Sequence, residues 1–76
     1  MVRAYVMIKT AAGKSEALLE SINAVEGVEE AHIVAGQYDI TAETVGEDVY
    51  DVMQSVSREI RGLDGVSDTR TYICME

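Results

Sequence analysis

Residues 22–28, Ile22-Asn23-Ala24-Val25-Glu26-Gly27-Val28, return in outline as residues 60–66, Ile60-Arg61-Gly62-Leu63-Asp64-Gly65-Val66. The second copy begins at 60 against 22, an offset of 38 in a chain of 76 residues, so each half of the chain carries one. In both copies a helix-compatible stretch closes on an apolar residue, an acid, a glycine and a valine. Glycine after a run of helical periodicity is a stop signal, and the valine after it starts an extended segment. A chain that repeats helix-stop-strand once per half is built from two similar units.

Reading outward from these two points gives the remaining elements. Residues 3–10 (RAYVMIKT) alternate as a strand, with Ala4, Val6 and Ile8 on one face and Tyr5, Met7 and Lys9 on the other. The following AAGKSE is a turn into a helix that runs to about Ala24, with Gly13 or Ser15 as its cap and Glu16 at the positive end of its dipole. Leu18, Ile22 and Val25, with Ala17, make its apolar stripe. Residues 28–35 (VEEAHIVA) and 40–45 (ITAETV) read as the second and third strands, joined by a tight connection at Gly36-Gln37-Tyr38-Asp39. Gly46, Glu47 and Asp48 open a second helix, whose apolar positions are Val49, Val52, Met53, Val56, Ile60 and Leu63. Arg58 and Arg61 suit its negative end, and Gly62 its C-cap. Residues 69–75 (TRTYICM) form the last strand.

The order βαββαβ, with right-handed crossovers in each half, predicts an α+β ferredoxin-like sandwich. Both helices then cover one face of a four-stranded antiparallel sheet. The other face is bare, and Tyr5, Met7, Val34 and Tyr72 compete for it or for the helix side. A contiguous apolar patch there implies an interface, hence a sheet-to-sheet dimer. Size points the same way. A chain this short buries only about 60% of the surface it exposes when unfolded. With Cys74 as its one cysteine and no Cys/His cluster, it has neither a disulfide nor a zinc site to supplement its core.

Composition narrows the function. Fourteen acidic residues against six basic ones give a net charge of −8, which repels phosphate backbones and acidic lipid headgroups. Direct nucleic-acid binding and membrane association are therefore disfavoured. No signal peptide and no span of roughly 20 apolar residues is present, which with the unpaired cysteine fits a reducing cytoplasm. Dense carboxylates with only Lys9 and Lys14 as lysines also fit a high-salt cytoplasm. No nucleophile–base pair or paired-acid constellation is legible from spacing, and no cofactor or metal is implied. His32, the only histidine, reads as a strand residue with a local partner among Glu29 and Glu30.

At Gly36-Gln37-Tyr38-Asp39-Ile40 the chain resembles the effector-binding domain of the Lrp/AsnC regulators, a family with a G-x-[YF]-D turn between its second and third strands. Glu26-Gly27-Val28, Leu63-Asp64-Gly65-Val66 and the T-x-T strand Thr69-Arg70-Thr71 follow that family's order, and the resemblance spans essentially residues 1–76 as one domain. It implies a ligand-binding and oligomerisation module without the helix-turn-helix domain of full-length members. It further implies dimers through the sheets, octamers or similar rings of dimers, and an amino-acid effector in the cleft between dimers. Full-length regulators of the family are the implied protein partners, so that transcription is modulated indirectly and the chain is no enzyme. By the same resemblance Gly36, Tyr38 and Asp39 line the effector cleft, with Thr69 and Thr71 as further candidates. Chemistry is compatible: Asp39 offers an acceptor for an ammonium group, and backbone N–H groups near Gly36 or the threonine hydroxyls offer donors for a carboxylate. Read plainly, Gly36 and Asp39 are also common hairpin-turn residues, and Thr69 and Thr71 common strand residues. Alternatives of the same topology are a small dimeric α/β-barrel enzyme such as a monooxygenase, an ACT-type module, or a purely structural assembly partner.

Overall fold

The computed structural model describes residues 1–75. Alternation in the first strand places Ala4, Val6 and Ile8 in a fully buried layer, and this strand, β1 (Val2–Thr10), lies inside the sheet. The chain continues as α1 (Ser15–Asn23), β2 (Val28–Ile33) and β3 (Ile40–Gly46). A second helical segment follows in three contiguous stretches: α2 (Val49–Asp51), a π-helical stretch (Val52–Val56) and α3 (Ser57–Arg61). It ends in β4 (Val66–Ile73). The sheet order is β2-β3-β1-β4, with every neighbouring pair antiparallel, which is the ferredoxin-like arrangement expected from the element order.

The core lies between the sheet and the helices. Val6 and Ile8 of β1, Ile40 and Ala42 of β3, Leu18 and Ile22 of α1, and Val56 and Ile60 of the second helical segment form one cluster. Full burial of each such aliphatic side chain is worth about 1.5–3 kcal/mol. Thr44 is the buried polar member of this layer of β3, and its hydroxyl donates to the Ala4 carbonyl at 3.2 Å.

Several local expectations change. Ala17 is exposed, and Leu19 packs on the core beside Leu18 and Ile22. Lys14, not Gly13 or Ser15, occupies the α1 N-cap, and it makes no side-chain cap bond; the Ser15 hydroxyl instead meets Thr10 Oγ1 at 2.9 Å. The second helix is not uniform. Its π stretch carries Val52 and Val56 onto the core, in line with Ile60, while Val49 and Met53 stay exposed. Its acidic opening does hold. Asp48 Oδ1 accepts the Asp51 N–H at 2.8 Å, and Asp51 Oδ2 accepts the Glu47 N–H at 3.0 Å, so two otherwise orphaned donors are satisfied reciprocally. Gly62 is the C-cap but stays right-handed, at φ −78°.

β2 stops at Ile33, two residues short of Ala35, and Val34 falls outside it. The connection to β3 is not a tight hairpin. It is tied to β1 instead, because the Asp39 N–H donates to the Ile8 carbonyl at 2.9 Å while the Val34 N–H donates to the Asp39 carbonyl at 2.8 Å. β4 begins at Val66, earlier than Thr69, since left-handed Gly65 delivers the chain directly into the sheet.

Register settles which side chains face away from the helices. Tyr5 stands opposite both Glu43 and Tyr72, and Met7 opposite both Thr41 and Arg70. This open face is therefore a mixed surface and not the continuous apolar patch expected. Tyr5 and Met7 sit at its middle on β1, Tyr72 lies beside Tyr5 on the edge strand β4, and charged side chains flank them.

Candidate functional site

The turn between β2 and β3 reaches across the sheet. Asp39 Oδ2 accepts the Thr10 N–H at 2.8 Å and lies 3.3 Å from the Thr10 hydroxyl, so its carboxylate clamps the end of β1 to the start of β3. A charged acceptor for a half-buried backbone donor is stronger than a neutral one. Tyr38, one residue earlier, accepts a hydrogen bond on its hydroxyl from Arg70 Nε of β4 at 3.0 Å. That bond, and the field of the Tyr38 and Tyr72 phenols, raise the Arg70 guanidinium above its ordinary value. Gly36 is exposed, without the positive φ that would demand glycine, and a Cβ there would meet open space.

Thr69 and Thr71 lie on β4 with the register of Ile8 and Val6, and so on the helix side of the sheet. The Thr71 hydroxyl is 3.2 Å from that of Ser57 in α3. Both threonines line a cavity of about 280 Å³ together with Met53, Ser57, Arg61 and Arg70. The five residues singled out in the sequence thus fall into two groups, 36–39 on the turn and Thr69 with Thr71 on the edge strand. Arg70 links them, with its backbone between the threonines and its guanidinium on Tyr38.

Thr10, Ser57, Arg61 and Arg70 were not singled out beforehand. Arg70 sits inside the quoted T-x-T strand, and that position is the one local signal available. Asp39 and Thr10 are 29 residues apart, and Ser57 and Thr71 14 apart, distances over which spacing carries no information.

Elsewhere on the open face, Arg3 donates to Glu29 at 2.7 Å and also to Glu43. The Glu29 hydrogen bond and charge are the chief reasons its guanidinium is held above the ordinary value. The Tyr5 phenol is pushed up, first by the negative charge of Glu43 and then by burial. His32 is exposed on β2 with Nε2 2.8 Å from Glu30 Oε1, and Cys74 is half-buried as a free thiol. Among the described residues no group of three or more His, Cys, Asp or Glu side chains is placed to hold a metal ion. No helix among them is long and apolar enough to cross a membrane.

Residues 3–76 match the family described as the Lrp/AsnC ligand binding domain. The leucine-responsive regulatory protein of Haemophilus influenzae is 36% identical over 56 residues, 74% of this chain and 34% of that protein. The chain thus spans about a third of the length of the curated relatives it matches. Among solved structures, TTHA0845 from Thermus thermophilus superposes with a TM-score of 0.92 at 32% identity, over 100% of this chain and 95% of that one. A feast or famine regulatory protein from M. tuberculosis, complexed with L-methionine, superposes with a TM-score of 0.75 at 25% identity, over 100% of this chain and 51% of its own.

Proposed function

The chain belongs to the Lrp/AsnC ligand-binding domain family, and on that premise we propose that it is an amino-acid-sensing oligomerisation module acting on transcription through full-length regulators of the family. The observation that carries this reading is the family match over residues 3–76, which leaves essentially no part of the chain outside the effector-binding fold. The matched relatives include leucine-responsive regulators, and a neighbouring structure holds L-methionine, which supports a free amino acid as effector. The effector cleft is lined by Gly36, Tyr38, Asp39, Thr69 and Thr71, the two groups that Arg70 connects. The module works in the cytoplasm.

Self-association uses the open face of the sheet. A chain with net charge −8 repels its own copies, but Arg3, Lys9 and Arg70, three of its six basic residues, lie on this face. Here they stand among the acids Glu29, Glu30, Glu43 and Asp68, three bases against four acids. This face is therefore close to charge balance within a chain of net charge −8, and Tyr5, Met7 and Tyr72 supply apolar area worth about 25 cal/mol per Å² buried. The relationship to TTHA0845, spanned over 95% of its length, supports a module of this size folding as a unit.

Titration calorimetry of the assembled protein against the twenty amino acids tests the reading. Saturable binding of at least one supports a sensor. Binding of none reduces the chain to a structural assembly partner.

A further inference from the structure

His32 and Glu30 stand two residues apart on β2 and share its outward side, the open face of the sheet. Register sets them in two cross-strand rows. His32, Thr41, Met7 and Arg70 make one, and Glu30, Glu43, Tyr5 and Tyr72 the other. His32 Nε2 lies 2.8 Å from Glu30 Oε1, and the two side chains are 63% and 64% exposed.

The other acids of this face have bases that stay charged. Arg3 holds both Glu29 and Glu43, and Asp68 stands opposite Lys9. Glu30 stands opposite Glu43, a like charge, and its one basic partner among the described residues is His32. Around the imidazole, β3 presents neutral Thr41 opposite it and Glu43 one pair along. Tyr38 of the connection is occupied by Arg70, and α1 packs through Leu18 and Ile22 against the other side of β2, at Ala31. An imidazole is the side chain that ordinarily changes charge between about pH 5 and 8, and His32 is the only one in the chain. While it is neutral the face carries three bases against four acids, and once it is charged the two signs are equal.

We propose that His32 is a proton switch on self-association, its imidazolium supplying the countercharge of Glu30 when a second copy covers the open face. The inference rests on the reading above that this face joins copies. Covering the face withdraws water from Glu30, and a carboxylate that loses water without gaining a charged partner is costly. A neutral imidazole can donate one hydrogen bond to it but leaves its charge, whereas an imidazolium both donates and neutralises. The assembled state therefore binds more protons at His32 than the separate chains do, and association tightens as pH falls.

Sedimentation equilibrium of the full chain at about pH 6 and about pH 8 tests this. The dissociation constant of the wild type is expected to be about tenfold lower at the acid end. His32→Gln should lose that dependence and associate at both values as weakly as the wild type does at the alkaline end. His32→Lys should associate at both values as tightly as the wild type does at the acid end. Glu30→Gln, which removes the charge that calls for the proton, should be tight at the alkaline end and gain nothing on acidification. Both positions are more than half exposed, and far-UV circular dichroism verifies that the variants fold. Equal constants for the wild type at both values, or a dependence that His32→Gln retains, overturn the switch while the reading of the face as an interface stands. A single chain at both values and in every variant discards both.

Discussion

Gly27 and Gly65 hold the same left-handed backbone, φ +100° and +99°, at matching points of the two halves of the chain. Their surroundings match as well. The Val25 N–H donates to the Ile22 carbonyl and the Leu63 N–H to the Ile60 carbonyl, at 3.0 and 3.1 Å. One step later Val28 bonds back to Val25 and Val66 to Leu63, at 3.1 and 3.3 Å. The repeat noticed as letters is a repeat of hydrogen bonds and dihedral angles.

The two glycines differ in what a side chain would strike. A Cβ at Gly27 would lie 2.6 Å from Val56 Cγ2 and 3.2 Å from the Val45 carbonyl oxygen. At Gly65 the nearest atom is Leu18 Cδ1, at 3.2 Å and at the end of a flexible side chain. Both alanine variants incur backbone strain of about 1–3 kcal/mol. Gly27→Ala should be the more destabilised, since it also displaces the core. Urea denaturation at one fixed protein concentration checks the order, and equal losses would contradict it.

Asp39 is expected to matter for stability whatever it does for a ligand. Asp39→Ala removes the acceptor of the half-buried Thr10 N–H, and a hydrogen bond to a charged partner is worth about 1.5–3 kcal/mol. A denaturation midpoint within error of wild type would show that the clamp contributes nothing.

The raised pKa of Tyr5 makes stability depend on alkaline pH. Its phenol is neutral in the folded state at pH values where the unfolded chain has already lost the proton, so the unfolded state binds fewer protons. The contribution is fully present below about pH 10, the ordinary tyrosine value, and falls as pH rises through the folded value. Because Glu43 is the first cause, Glu43→Gln should lower the apparent pKa of the Tyr5 ring when followed by NMR. No change would reassign the shift to burial.

Charge density sets a salt response. A net charge of −8 on 76 residues stores self-repulsion that molar KCl screens to within about 3 Å. The melting temperature should rise between dilute buffer and molar KCl. An equal or lower value would remove the case for a high-salt origin of this composition.

Much of the fold was legible because its signals are local. The helix stops at Gly27 and Gly65, the acidic opening of the second helix at Glu47 and Asp48, and the alternation in β1 each lie within a few consecutive residues, where stereochemistry decides. The π stretch was not legible, since Val49 and Met53 fit an ordinary helical stripe and only packing on the sheet sets the wider turn. Nor was the length of β2: Val34 and Ala35 favour a strand, but bonds from Asp39 to Ile8 and Thr10 hold the connection elsewhere. At the site, the turn residues and T-x-T threonines stand out in sequence. Arg61 and Ser57 do not, because the cavity they line exists only where α3 meets the edge of a sheet assembled from distant segments.

The central claim is that the open face of the sheet joins one copy to another, and molecular mass by sedimentation at low micromolar concentration tests it most directly. A dimer or a multiple of dimers is expected for the wild type, with or without an amino-acid mixture. Tyr72→Asp, which places a carboxylate beside Tyr5 on that face, is expected to shift the mass towards a single chain. A wild-type protein that is well folded and sediments as one chain of 8.3 kDa would contradict the account.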